Sequence, residues 1–182
     1  AYMVACSGAI IAFGVMSFVM AASPLAIVQC GLSAKEAPVT IFVHVMGMFV
    51  PSFFTGHLIS RFGVFNMMIA GAVLLVAGVA AALMGVTEWH FRAALSLNGV
   101  GWNFLFVGAT TLLTTTYRPA ERGKAQAFND FMVFGVTAAA SLMASVVLEL
   151  QGWAVLNYMA LAMVLVALVV VVTFRFRHPV RI

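Results

Sequence analysis

Runs of apolar residues fill most of this chain, and polar residues collect in the short gaps between the runs. A helix rises about 1.5 Å per residue, so about 20 apolar residues cross a hydrocarbon core of about 30 Å. This pattern predicts six membrane-spanning helices, with each end set to within a few residues. The predicted spans are residues 2–28, 38–58, 64–86, 91–115, 127–150 and 155–174.

The runs are continuous, without the alternation of apolar and polar residues that is typical of membrane strands. Because lipid offers no hydrogen-bond partner, each span must satisfy its own backbone groups, which favours helices. The predicted fold class is therefore an all-α polytopic membrane protein, with residues 1–182 forming a single six-helix bundle.

Composition supports the membrane assignment and excludes a nucleic-acid partner. Hydrophobic residues make up 64% of the chain and charged residues 8%, against about 25% charged residues in soluble domains. The net charge is +4, yet no basic stripe or aromatic platform accompanies it, so no nucleic-acid binding is expected. The expected surroundings are a lipid bilayer.

The basic residues predict the orientation of the bundle, because loops rich in Lys and Arg stay on the cytoplasmic side. Two of them, Lys35 and Arg92, fall on one predicted face. The opposite face, which carries the C-terminus, holds Arg61, Arg118, Arg122, Lys124, Arg175, Arg177 and Arg181. Both termini are therefore predicted to be cytoplasmic, with the helices in the inner (cytoplasmic) membrane of the cell.

Two predicted inner loops carry a family resemblance. Residues 56–63, GHLISRFG, resemble the loop signature G-x-L-x-D-R-x-G-R-R of the major facilitator superfamily. The matching residues are Gly56, Leu58, Arg61 and Gly63, whereas Ser60 replaces the acid and Val64 and Phe65 replace the basic pair. Residues 117–124 resemble the corresponding loop two helices further on, and residues 97–103 resemble the glycine-rich segment of the fourth helix.

The resemblance implies two six-helix halves, each built of two three-helix repeats, with the substrate between them at mid-membrane. This chain is similar to the C-terminal half of a bacterial member, most specifically in residues 51–58 and 101–106. The implied function is secondary transport of a small organic solute by alternating access, with the N-terminal half as partner. Because the chain does not begin with Met, we expect it to start inside a longer protein.

The inner loops also predict a gating group. Glu121 and Asp130 are the carboxylates on the predicted inner side, and at least one is expected to pair with Arg61 and latch the loops in the outward-open state. Arg122 lies beside Glu121 and belongs to the same group. The alternative is that Arg61 only enforces topology.

Polar residues inside the spans are the candidates for substrate binding, because a polar group in lipid needs a partner or a wet cavity. They are His44, Asn98, Trp102 and Asn103. His44 is the titratable side chain deepest in a span, so it is also the candidate for a coupling proton. A neutral imidazole bonded between helices is the open alternative.

Trp102 and Asn103 together suit an aromatic or amide-bearing solute, and helix packing is their alternative. Two further features predict packing and bending. Gly71, Gly78 and Gly85 recur every seven residues and predict a close helix contact, while Pro51 predicts a kink in the second span.

Catalysis is not expected. An intramembrane serine protease needs G-x-S-G, and residues 5–8, ACSG, lack the first glycine. His44 and His57 lie about 220° apart around a helix, so they do not converge on a metal, and no cofactor is expected. The remaining alternative is a six-helix scaffold that transports nothing, which predicts no wet polar cavity.

Overall fold

The computed structural model describes residues 1–177, which are helical apart from short connections. The helices are α1 Tyr2–Gln29, α2 Glu36–Phe49, α3 Ser52–Phe62, α4 Val64–Met84, α5 Glu88–Thr114 and α6 Arg122–Arg177, with a 3-10 turn at Pro119–Glu121. No strand occurs within residues 1–177, so the predicted all-α class is confirmed. Arg181, which entered the orientation prediction, lies outside the described residues.

Within the described residues 1–177, three helical segments are long and apolar enough to cross a membrane. They are α1, α4 and the segment Pro119–Arg177, and the bent pair of α2 and α3 makes a fourth when taken as one span. The length and composition of these helices agree with the predicted membrane character, whereas the number of six spans stays a prediction.

The long helix α6 is broken inside its length. Gly152 has φ +81° and ψ 175°, which leaves the helical region and separates residues 122–151 from residues 153–177. This left-handed value is one that glycine adopts without strain. The break falls in the gap predicted between the last two spans, and the Trp153 ring after it lies 5.1 Å from the Phe91 ring of α5.

The predicted kink at Pro51 is confirmed. Pro51 separates α2 from α3, whose axes differ by 41°. Proline has no backbone N–H, so the carbonyl of Gly47 loses the donor that it would have in a continuous helix. The second predicted span is thus two short helices joined at an angle.

Helix α5 lies at the centre of the bundle and packs on α1, α2 and α4. A Cβ on Gly101 would lie 2.9 Å from the carbonyl oxygen of Gly71, and one on Gly78 would lie 3.0 Å from that of Ala94. The predicted close contact is therefore confirmed for Gly71 and Gly78. It is wrong for Gly85, which follows the end of α4 in extended conformation beside the His90 ring.

Contacts between helix ends define one pole of the bundle. The Tyr2 hydroxyl donates to the Ala125 carbonyl at 3.2 Å, which joins the starts of α1 and α6. Phe65, at the start of α4, lies 5.8 Å from the ring of Phe174 near the end of α6. A Cβ on Gly8 would touch Met68 and Ala109, so α1, α4 and the end of α5 share this pole. The helix ends and connections at this pole carry basic residues: Arg61, Arg118, Arg122, Lys124, Arg175 and Arg177.

Candidate functional site

Polar contacts run along the boundary between α5 and the bent pair α2–α3. We call this boundary the α2–α5 seam and define it by Glu36, His44, Ser52, Thr55, Arg92 and Asn103. At the pole opposite the basic connections, Arg92 donates to the Glu36 carboxylate and lies 3.5 Å from that of Glu88. The Arg92 guanidinium also lies over the Trp89 ring, 5.1 Å from its centroid. An ion pair therefore closes one end of the seam.

His44 occupies the middle of the seam and is fully buried. Its Nδ1 lies 2.8 Å from the Leu95 carbonyl oxygen, which can only accept, so Nδ1–H is the donor. Its Nε2 is buried and has no hydrogen-bond partner within residues 1–177. His44 thus ties α2 to α5 and keeps one free acceptor, so both predicted roles, structural and functional, stay open.

Asn103 lies at the other end of the seam, where it contacts both sides of the Pro51 break. Its Nδ2 donates to the Met48 carbonyl at 2.8 Å and to the Ser52 hydroxyl at 2.6 Å. Its Oδ1 accepts from the Thr55 hydroxyl at 2.6 Å. The side chain is fully buried and its polar atoms are occupied by these contacts. A role of Asn103 in solute binding stays a prediction.

Trp102 points to a different neighbour from Asn103. Its ring stacks on Phe106 at 5.2 Å and meets the edge of Phe13 at 5.0 Å, and Phe13 in turn lies 6.1 Å from Phe134 of α6. We call Phe13, Trp102, Phe106 and Phe134 the aromatic cluster. The structure therefore does not bring Trp102 and Asn103 to one site. Binding by Trp102 stays a prediction.

Trp102 and Asn98 each carry a buried polar atom without a hydrogen-bond partner, as His44 does. The Trp102 Nε1–H and the Asn98 Oδ1 are both buried without a hydrogen bond in the described part of the chain. Asn98 itself is 4% exposed. These atoms are a donor and an acceptor that the fold leaves unused, which keeps both residues among the candidates.

Sequence reasoning missed a cavity of about 370 Å³ between α1, α2 and α6. Its wall includes Met16, Met20, Met48 and Phe49, with hydroxyls from Ser17 and Ser141. Ser17 is 8% exposed, and its hydroxyl makes a weak hydrogen bond to the Met16 sulfur at 3.9 Å. The four-residue spacing of Met16 and Met20 is a signal that places them on one helix face, but it does not show which helix they meet.

Sequence reasoning also missed Ser52 and Thr55 as partners of Asn103. Thr55 is fully buried, and its hydroxyl also lies 2.8 Å from the Pro51 carbonyl oxygen. The available signal was their position directly after Pro51 in an apolar run, where a broken helix needs hydroxyl groups to satisfy its backbone.

The loop motif surrounds the end of α3. Gly63 ends the helix with φ +85°, and its N–H donates to the Ile59 carbonyl at 2.8 Å. Arg61 lies over the Phe62 ring, 5.4 Å from its centroid. Gly56 has open space where a Cβ would stand, and Leu58 is half-buried.

The predicted latch partners are occupied locally. Glu121 accepts from the Arg118 N–H at 3.3 Å, and Asp130 accepts from the Asn129 amide at 3.2 Å. Over residues 1–177, no ion pair joins Arg61 to either carboxylate. The latch in the outward-open state, with Arg122 in the same loop, stays a prediction.

Comparison with known proteins identifies the family. The family model described as Major Facilitator Superfamily matches residues 4–182. The chain belongs to this superfamily.

Over the described residues 1–177, no group of three or more His, Cys, Asp or Glu side chains is placed to hold a metal ion.

Three relatives within the superfamily are bacterial proteins named as transporters. The riboflavin transporter RfnT of Brucella anthropi is 42% identical over 168 residues, which cover 92% of this chain and 42% of the relative. The uncharacterized MFS-type transporters YddS and YdeG of Bacillus subtilis are 30% and 31% identical, over 88% and 90% of this chain and 37% and 38% of their own lengths. The chain therefore spans less than half the length of these relatives.

Superfamily membership supports three coarse conclusions. The chain is an integral membrane protein, its relatives are named for transport, and a small molecule is the kind of substrate that such proteins carry. The assignment as a transporter and not an enzyme is an inference at the level of the family.

Proposed function

We propose that this chain is the C-terminal half of a secondary transporter that moves a small organic solute across the inner membrane by alternating access. The observation that carries the proposal is the superfamily match over residues 4–182 together with 42% identity to a riboflavin transporter. A non-transporting scaffold is not favoured, because the relatives are named transporters.

The helix arrangement supports a six-span half. Taking α2 and α3 as one bent span, and α6 as two spans divided at Gly152, gives six with α1, α4 and α5. The gathering of basic residues at one pole supports cytoplasmic termini under the positive-inside rule.

Exposed apolar side chains support a second half as partner. On α2–α3 and α6 the exposed residues include Phe42, Phe53, Phe131 and Leu142, which are 62–85% exposed. Exposed apolar side chains in such numbers need lipid or protein to cover them. In a complete superfamily member, part of them would meet the N-terminal half.

We propose a heteroaromatic solute as the substrate class, with riboflavin as the first compound to test. The cavity wall combines methionine sulfurs with Phe49, and thioethers make favourable contacts with aromatic rings. The aromatic cluster continues this surface, since Phe13 precedes Met20 by seven residues on α1 and Phe134 precedes Ser141 by seven on α6. Seven residues is about two helical turns, so each pair shares a face.

The remaining candidates keep their proposed roles within this function. The free Nε2 of His44 would accept a coupling proton or a donor group of the solute, and Asn98 and Trp102 would offer an acceptor and a donor. Arg61, Glu121, Arg122 and Asp130 would close the cytoplasmic loops in the outward-open state.

The test is uptake of radiolabelled riboflavin by liposomes that contain the natural protein carrying this chain. We expect saturable uptake that unlabelled riboflavin competes. Met20→Ala should raise KM by about tenfold by removing a cavity wall contact, whereas the exposed Met3→Ala should not. Uptake equal to that of protein-free liposomes, for riboflavin and for a panel of heteroaromatic solutes, would contradict the proposal.

A further inference from the structure

The break at Pro51 leaves backbone groups that a continuous helix would satisfy. Asn103 supplies hydrogen bonds on both sides of this break: to Met48 before it, and to Ser52 and Thr55 after it. Each contact lies between 2.6 and 2.8 Å, within the range of good hydrogen bonds. A single side chain of α5 therefore spans the junction of two helices.

The same contacts reach the cavity. Met48 offers its carbonyl to Asn103, and it also lines the cavity together with its neighbour Phe49. The part of the cavity wall formed by α2 therefore includes the residue whose carbonyl accepts from Asn103. A change in the Asn103 contacts would move Met48 and Phe49 relative to α1 and α6.

Helix α5 is a firm support for this contact. Four residues before Asn103, Gly99 places the α5 backbone directly against α2, since a Cβ there would lie 3.0 Å from the Met48 nitrogen. On its other side α5 packs on α4 through Gly101 and Gly71. Close contacts on two faces therefore hold α5 in place, and Asn103 contacts both sides of the Pro51 bend from this fixed helix.

We propose that Asn103 is a positioning residue that sets the angle between α2 and α3 and so holds Met48 and Phe49 in the solute cavity. The role in the cavity rests on the proposed transport function, whereas the role in the bend does not. An amide inside a membrane span is costly without partners, and here its partners are the groups that the proline break exposes.

Asn157 provides a matched control. It is also a fully buried asparagine in a long apolar helix, but its Nδ2 donates to the Trp153 carbonyl of its own helix at 2.9 Å. In the part of the chain that the structure describes, its side-chain hydrogen bonds do not connect two helices. Loss of Asn157 is expected to affect stability without affecting the angle at Pro51 or the KM of transport.

The experiment measures the bend directly. Spin labels are attached at Val39→Cys on α2 and Phe62→Cys on α3, both exposed, in the natural protein with its native cysteines replaced. Their distance distribution is recorded by pulsed electron paramagnetic resonance in lipid nanodiscs. We expect a narrow distribution for the parent and a broad or shifted one for Asn103→Ala, while Asn157→Ala matches the parent.

Two further variants keep the test decisive. Thr55→Val removes the hydroxyl that bonds to Asn103 and that also lies 2.8 Å from the Pro51 carbonyl oxygen, and it leaves the Asn103 side chain in place. It covers the case in which Asn103→Ala fails to fold, and a smaller change in the same direction is expected. Pro51→Ala restores the missing N–H, so in that background Asn103→Ala should change the distribution little. Distributions that match the parent for both Asn103→Ala and Thr55→Val would overturn the positioning role.

Transport measurements distinguish a failure of the proposed positioning role of Asn103 from a failure of the proposed transport function. We expect Asn103→Ala to raise the KM for riboflavin by about tenfold with a smaller change in kcat, because cavity contacts shift. If the parent protein transports no solute but the spin-label distances change as expected, the transport function is overturned and the role of Asn103 in the bend stands. An unchanged KM in Asn103→Ala, with a transporting parent, would overturn the link to the cavity.

Discussion

Gly99 of α5 lies directly against the carbonyl oxygen of His44 in α2, leaving room for a hydrogen atom but not for a methyl group. Gly47 makes the reciprocal contact, since a Cβ there would lie 2.8 Å from the Ser96 carbonyl oxygen. The bond from His44 to Leu95 lies one helical turn away on α5. The seam therefore depends on two small residues that let its polar groups reach each other.

Gly99→Ala is expected to destabilise the protein by about 1–3 kcal/mol, because the new methyl group must push α2 away from α5. The measurement is the free energy of unfolding in mixed detergent micelles. Gly135→Ala is the control, since that glycine of α6 has nothing within 4 Å of a Cβ, and alanine favours the helix. Equal stability for both variants would contradict backbone contact at the seam.

His44→Gln tests proton coupling. The amide of glutamine can still donate to the Leu95 carbonyl, so folding should be retained. If His44 carries the coupling proton, the variant loses the dependence of transport on pH between about 5 and 8, where imidazole normally titrates. The measurement is the initial uptake rate across that range. An unchanged pH profile would leave His44 with its structural bond alone.

Glu36 and Glu88 both approach Arg92 but differ in exposure, with side chains 18% and 46% exposed. Glu36→Gln should lower the free energy of unfolding by about 1 kcal/mol, and Glu88→Gln by less, because exposed ion pairs contribute little. Chemical unfolding at low and high salt provides the measurement. A larger effect for Glu88 would mean that α2 is not tied to α5 by this pair.

The cytoplasmic latch is tested by charge reversal. Arg61→Glu should reduce transport, and a second reversal, Glu121→Arg or Asp130→Arg, should restore part of it. The measurement is riboflavin uptake, with Arg175→Glu near the end of α6 as a control for charge at this pole. If neither double variant recovers any uptake, the latch is wrong and Arg61 serves topology alone.

The sequence patterns correctly predicted the structural features that depend on a single helix. Apolar runs predicted the helical class, Pro51 predicted the bend, and the spacing of Gly71 and Gly78 predicted the contact with a neighbour. These follow from hydropathy and helical period, which are local properties. Gly85 differed because the helix ended one residue before it.

Contacts between helices could not be read in the same way. Trp102 and Asn103 are adjacent in sequence, but about 100° separates successive residues around a helix, so one meets α1 and the other meets the α2–α3 break. The partners of Asn103 are hydroxyls from 48 and 51 residues away. Only the three-dimensional arrangement shows which faces meet.

The most direct test of transport by alternating access is the accessibility of Ser141→Cys, in the cavity wall, to a membrane-impermeant maleimide. The natural protein, with its native cysteines replaced, is labelled from each side of the membrane, and Val73→Cys on the exposed face of α4 is the control. We predict that Cys at position 141 reacts from both sides, that solute changes the ratio of the two rates, and that the control reacts from neither. Reaction from one side only, unaffected by solute, would contradict the account.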